Sequence, residues 1–284
     1  MTTQLPAIVL DPWVKRFVDY LRAERDASEH TISSYVGDIQ QFVRKTWGEE
    51  PKAAYSWKEP DRFTARKFLA SFQKEGMSPA TTGRKVSSLK SFFKFLSREE
   101  LIQVNPFAGL LRPKREKLLP KILSITEVNR LLNAPERMWA ESPPKDPKTK
   151  VWNSYARWRD TAILEVLYST GMRINELTGL TEDRVDLLSG IVKVRGKGKK
   201  ERLCPLGRPA SRALHTLMEE RKMFWMSLGK KGGATALFLN KFGDRLTNRS
   251  VERMMKKYLA FSGLPAGISP HALRHSFATH MLDA

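Results

Sequence analysis

Apolar residues recur every three or four positions along most of this chain, and that period predicts helices. Four such stripes fall in the first part, each behind a residue suited to cap a helix. Asp11-Pro12 precedes Trp13, Phe17, Val18 and Leu21, and Ser28 precedes Ile32, Val36, Ile39 and Val43. Asp61 precedes Phe63, Phe68 and Phe72, and Ser78-Pro79 precedes Val86, Leu89, Phe92, Phe93 and Leu96. Proline at the first helical position and Ser or Asp just before it are start signals. Residues 1–98 therefore read as a small all-helical domain whose aromatic residues are core. Residues 99–120 carry Asn105-Pro106, Arg112-Pro113 and Pro120 among charges without apolar periodicity, and read as an extended basic linker.

The second domain, 121–284, reads as helical with one change of period. Helices are expected over 124–132, over 155–169 with Ala162, Ile163, Val166 and Leu167 buried, over 209–228 and over 250–261. A last helix is expected behind Ser269-Pro270, and residues 135–153 read as a surface loop. Between these helices, Gly171 ends one run and Arg173 starts a short helix with Glu176, Leu177 and Leu180. Ile191, Val192 and Val194 then form a β-branched run. The turn Arg195-Gly196-Lys197-Gly198-Lys199-Lys200 leads to a second apolar run at Leu203–Leu206, which together make a β-hairpin signature. Phe238-Leu239 reads as a short strand. The expected fold is mainly α, with a small β-sheet or hairpin in the second domain.

Charge sharpens the picture. The 284 residues hold 50 Lys and Arg against 30 Asp and Glu, a net of +20. The excess is uneven, +4 over residues 1–110 and +16 over 111–284. A polyanion, most simply nucleic acid, is the implied partner. The fourth helix places Arg84, Lys85, Lys90 and Lys94 off its apolar stripe, where they face either solvent or a phosphate backbone. Arg112, Lys114 and Arg115 in the linker are further backbone-contact candidates, as are Lys199 and Lys200 at the hairpin tip. No run reaches the about 18 apolar residues of a membrane span, and no secretory leader is apparent, so a cytoplasmic location is expected. The one cysteine, Cys204, permits no intrachain disulfide framework and reads as a small buried strand residue.

The chemistry concentrates in two places. In the last helix, His271, Arg274 and His275 share a face near the N-terminus, where backbone N–H groups and the helix dipole favour an anion. An arginine clamps phosphate oxygens and a histidine moves protons. A metal through His271 and His275 lacks both a third ligand and the glutamate of H-E-x-x-H, so none is expected. The other place is Arg173 with the glycine-broken basic hairpin. Glu176 reads either as the partner of an arginine or as a plain helix-surface acid.

GMRINELTGL, GKGKKERLCPL and HALRHSFATHMLDA, in this order, resemble the tyrosine recombinases, and within them the bacterial Xer-type recombinases. The stretches TISSYVGDIQQF and SPATTGRKVSSLKSFFKFL resemble the core-binding domain of that family. The resemblance implies site-specific cutting and rejoining of duplex DNA through a 3′-phosphotyrosyl intermediate, without metal or cofactor, in a tetramer on two DNA sites. It implies a helical core-binding domain and an α+β catalytic domain; the two basic units joined by the basic linker are expected to clamp duplex DNA, in association with the nucleoid. It further implies that Arg173 and Arg274 neutralise phosphate oxygens, that His271 assists proton transfer and that Lys197 protonates the leaving 5′ oxygen. The family's nucleophilic tyrosine follows an LGH-like motif well beyond the second arginine, whereas all six tyrosines here precede HALRH. The expectation is a chain truncated before its nucleophile and inactive in cleavage. A mobile-element integrase and a non-catalytic DNA-binding protein remain as alternatives.

Overall fold

The computed structural model describes residues 11–50, 52–111, 121–143, 146, 149–196, 201–230 and 235–283. They fall into two compact units, divided between Leu118 and Leu119. In the first, α1 (Pro12–Ala23), α2 (Glu29–Trp47), α3 (Arg62–Lys74) and α4 (Pro79–Arg98) begin at the expected caps. Asp11, Ser28, Asp61 and Ser78 each accept a backbone N–H of the first turn, satisfying donors that no helical carbonyl reaches. The core is a stack of edge-packed rings. Phe42 meets Phe68 at 5.2 Å and Phe93 at 5.6 Å, and Trp57 meets Phe92 at 4.8 Å. This is the geometry that aromatic quadrupoles favour.

Three expectations for this unit need correction. Phe63 is 76% exposed rather than core, because it follows the Asp61 cap on the outward side of the first turn of α3, while Ala65, Phe68 and Phe72 take the inner side. Residues 99–111 are not extended linker. Phe107 is fully buried against Phe42, Phe68 and Phe93, and Lys90 donates to the Ala108 carbonyl. Arg84 and Lys85 do not form a free basic face either. Both point to Asp38 of α2, which is 2% exposed; Arg84 grips its two oxygens at 2.6 and 2.9 Å and Lys85 donates at 3.1 Å. A carboxylate taken out of water requires such partners, and here they come from the adjacent helix.

The second unit is built around α7 (Lys150–Thr170), which packs against α9 (Arg208–Ser227) and α11 (Pro270–Leu282). Ile163, Val166 and Leu167 of α7 bury with Leu214, Leu217 and Leu273. Around this spine lie α5 (Ile125–Leu132), α6 (Ala134–Glu141), α8 (Ile174–Thr178) and α10 (Asn248–Phe261). Ser124 and Glu127 close a reciprocal capping box on α5. The expected 135–153 loop is largely helical: α6 takes its start and α7 begins at Lys150, five residues before Tyr155. Pro135 at the head of α6 is a helix-start residue, which the charge-rich reading of the stretch overlooked. The hairpin is present and carries a third strand. Val185–Asp186 (β1) pairs antiparallel with Ile191–Arg195 (β2), which pairs with Glu201–Pro205 (β3). Cys204 is buried opposite Val192. Phe238-Leu239 forms no named strand; Leu239 makes one isolated bridge to Arg245. No helix is long and apolar enough to cross a membrane among the described residues.

Asp11 anchors the first unit beyond its own helix. Its carboxylate caps α1 at Trp13 and Val14 and also accepts from the Tyr55 backbone N–H at 3.0 Å and from Trp57 Nε1 at 3.1 Å. Asp11→Ala removes the cap and strands two inner donors, so it should cost about 3 kcal/mol. Ser28→Ala, which loses an exposed cap alone, should cost about 1 kcal/mol. Urea unfolding of the two variants checks the ranking.

Candidate active site

Gly171 packs the turn before Arg173 against α11, the helix that carries Arg274. It ends α7 in the left-handed conformation, with φ +55°, and a Cβ built on it would lie 2.6 Å from the Phe277 ring of α11. Only glycine meets both conditions without strain. Arg173 follows two residues later, at the N-cap of α8, and Arg274 lies one turn before Phe277 on α11. The Gly171–Phe277 contact thus sits between the two elements that present them.

The short helix α8 is held on three sides. Leu177 is fully buried beneath it. On one flank Asn248, at the start of α10, bonds to Asn175 and accepts from Thr178 at 2.7 Å, while Arg245 donates to the Thr178 carbonyl at 2.8 Å. On the other flank Glu176, whose side chain is only 6% exposed, accepts two bonds from Arg202 of β3, at 2.9 and 2.6 Å. The same carboxylate accepts the Arg173 backbone N–H at 2.7 Å and a longer contact from Arg173 Nη1 at 3.2 Å. Burial alone would raise the Glu176 pKa. The bonds from Arg202 and the Arg173 backbone, with the charge of Arg202, outweigh it and hold the group at about 2. The Arg173 side chain remains 56% exposed.

On α11, Ser269 caps the helix through the Ala272 N–H, and His271 lies exposed in the first turn. Arg274 is half-buried, and its Nη1 is enclosed with no hydrogen-bond partner among the described residues. A guanidinium N–H buried without an acceptor is costly, and an anion's oxygen is the acceptor it lacks. The helix is anchored from behind: Ser276, fully buried, accepts the Leu123 N–H at 2.9 Å. Ala278 and Met281 are exposed, and Ser276 takes the inner position between Leu273 and His280. His280 Nδ1 pairs with the Tyr168 hydroxyl at 2.9 Å. Among the described residues no three His, Cys, Asp or Glu side chains are grouped to hold a metal ion.

A family model described as "Phage integrase family" matches residues 121–284, and one described as "Phage integrase, N-terminal SAM-like domain" matches residues 14–100. The chain is 39% identical to the tyrosine recombinase XerC of Syntrophus aciditrophicus (strain SB), over 97% of this chain and 86% of that protein. It is 37% identical to the XerC of Bacillus subtilis (strain 168), over 95% and 83%. The chain belongs to the phage integrase family of tyrosine recombinases. Among solved structures, the XerH site-specific recombinase bound to difH substrate in a pre-cleavage complex aligns over 100% of this chain and 88% of that one, with a TM-score of 0.67 and 20% identity. The Tn1549 transposon integrase in complex with circular intermediate DNA aligns over 99% and 88%, with a TM-score of 0.67 and 20% identity. These two likenesses are likenesses of fold.

Within this recombinase, the structure brings Arg173 and Glu176 together and sets α11, with His271 and Arg274, beside the end of α7. Lys197, Lys199 and Lys200 lie outside the described residues, as do Arg112, Lys114 and Arg115; the β2–β3 register runs up to Arg195 opposite Glu201. Of the α4 candidates, Arg84 and Lys85 serve Asp38 and Lys90 serves Ala108, while Lys94 is exposed. Glu176 is a buried arginine partner, not a surface acid. Sequence reasoning missed Arg202, Arg245 and Asn248. The signal for Arg202 was its phase: alternation in β3 puts it on the inner face with Cys204, and a charge on that face needs a counter-charge.

Because the Glu176 pKa is depressed, its stabilisation is complete above the ordinary carboxylate range and disappears as pH falls from about 4.5 towards 2. Glu176→Gln should be less stable than wild type at pH 7. The two stability curves should converge near pH 2, as urea unfolding at a series of pH values will measure.

Proposed function

We propose that this recombinase cuts and rejoins duplex DNA at a specific site, and that its role is Xer-type resolution of chromosome dimers on the cytoplasmic nucleoid. The observation that carries the chemistry is the enclosed Nη1 of Arg274 on α11, without a partner among the described residues, on the helix that meets the turn leading into Arg173. Two guanidinium groups on these adjoining elements suit the oxygens of one phosphate. Catalysis without metal then follows from electrostatics: charge gathers on the phosphate oxygens in the transition state, and preorganised donors stabilise it.

In this reading a tyrosine oxygen attacks the phosphorus, forming the P–O(Tyr) bond and breaking the P–O5′ bond. His271 assists removal of the phenolic proton and Lys197 supplies one to the departing O5′. Attack by a 5′-hydroxyl on the phosphotyrosine reverses both steps and joins the strands. DNA contacts extend to both units, with Lys94, Arg112, Lys114, Arg115, Lys199 and Lys200 on the backbone. The XerC relatives support the Xer assignment. A lambda integrase tetramer bound to a Holliday junction shares this fold and motivates a tetramer here.

The 284-residue chain is proposed to bind DNA without cleaving it, because its described tyrosines near the catalytic unit's core are engaged elsewhere. Tyr258 is buried, donates to Asp160 at 2.9 Å, and burial and that neighbouring carboxylate push its pKa up. Burial raises the Tyr155 pKa to about 12, and its oxygen accepts the Leu239 N–H. Tyr168 is paired with His280, and its pKa too is raised by burial. Phenols buried with raised pKa values, as Tyr155 and Tyr258 are, are poor nucleophiles, which leaves Tyr168 as the one to test.

A nicked suicide duplex traps any 3′-phosphotyrosyl product. Denaturing gels should show no covalent band from the 284-residue chain and a band from a cleaving form made by appending the C-terminal segment of a XerC relative. A band from the short chain, lost on Tyr168→Phe, would make Tyr168 the nucleophile and reverse this reading. In the cleaving form, Arg173→Ala and Arg274→Ala should each lose about 2–4 kcal/mol of transition-state stabilisation, a slowing of roughly 30- to 10³-fold. Gel-shift affinity should change far less. DNA affinity should also fall steeply between low and physiological salt.

A further inference from the structure

We propose that Arg202 is a positioning residue for Arg173: by occupying both oxygens of Glu176 it leaves the Arg173 guanidinium free to take the DNA phosphate. The proposal rests on the recombinase reading of Arg173.

The argument begins with the Glu176 carboxylate. It is nearly shut off from water and needs a counter-charge. Arg202 meets it fork to fork, at 2.9 and 2.6 Å, the bidentate arrangement in which Arg–carboxylate pairing is strongest. A third bond comes from the Arg173 backbone N–H at 2.7 Å. Little acceptor capacity is left for the Arg173 side chain, which makes one contact at 3.2 Å and stays largely in solvent. Arg173 and Arg202 therefore compete for one anion, and Arg202 holds it.

Arg202 reaches Glu176 because of strand geometry. It pairs in register with buried Val194 of β2, and its alternation with Cys204 turns it inward. The same bond joins β3 to α8. The two strands flanking the basic turn and the helix carrying Arg173 are thus linked through one carboxylate. Without Arg202, Glu176 would retain only Arg173 as a partner. Arg173 would fold back onto it, three residues away on the same short helix, and be withdrawn from the phosphate.

This competition makes a specific prediction about suppression. Arg202→Met, Glu176→Gln and the double variant are compared on duplex DNA, by the slope of log K against log salt for the 284-residue chain. Each lost phosphate contact lowers that slope by about 0.9. Arg202→Met should lower it as much as Arg173→Ala does, and adding Glu176→Gln should restore it, since a neutral amide no longer draws Arg173 away. In the cleaving form, Arg202→Met should slow covalent-complex formation roughly 10²-fold, comparable to losing one transition-state donor, and the double variant should recover at least about tenfold of it. A wild-type slope for Arg202→Met overturns the proposal. So does a slope loss that Glu176→Gln leaves in place, which would put Arg202 itself on a phosphate. If Arg202→Met does not fold, Glu176→Gln and the double variant must behave alike; a further loss in the double variant overturns it. Wild-type protein that neither binds nor cleaves DNA would instead sink the recombinase reading, leaving the pairing of Glu176 as observed.

Discussion

The catalytic unit depends on one close approach. The ring of Phe277 lies where a side chain at position 171 would be, so α7 must end in a glycine and turn left-handed there. From that turn the chain enters α8, and from the ring α11 runs back one turn to Arg274. The separation of the elements that carry Arg173 and Arg274 is therefore set by the Phe277 ring seated on the Gly171 backbone, not by the long arginine side chains. Catalytic groups need positions held to within a fraction of an ångström, and a ring packed on bare backbone helps to provide them.

Charge is distributed by the same logic of partners. In the first unit several cations are paired with acids: Asp38 engages Arg84 and Lys85, Glu99 engages Arg16, and Glu24 engages Arg98. Its net charge over residues 1–110 is only +4. In the second unit the acids serve mostly to hold other groups. Asp160 binds Arg159 and Tyr258, and Glu176 binds Arg202 and Arg173. The strong positive surplus of this half is left for a polyanion, with a salt dependence to match.

The helical first unit was legible because its stripes and caps are local. Asp11, Ser28, Asp61 and Ser78 signal their helices within a few residues, and the structure uses all four. The hairpin was legible from its change of period, and the glycine before Arg173 from its place after a long apolar run. What escaped was non-local. The inner placing of Phe107 depends on a ring cluster gathered from three helices. The roles of Arg84 and Lys85 depend on an aspartate on a different helix. Arg202 stands 26 positions from Glu176, and only strand pairing brings them together. Phe63 was misplaced for a simpler reason: apolar spacing marks a stripe but not where it ends.

The central claim is that Arg173 and Arg274 converge on a single phosphate. The most direct measurement is a structure of this chain on a duplex carrying its recombination site. The account predicts both guanidinium groups at about 2.7–2.9 Å from oxygens of the same phosphate, with Glu176 still gripped by Arg202. Arginines on two different phosphates, or an Arg173 folded onto Glu176 in the complex, would contradict it.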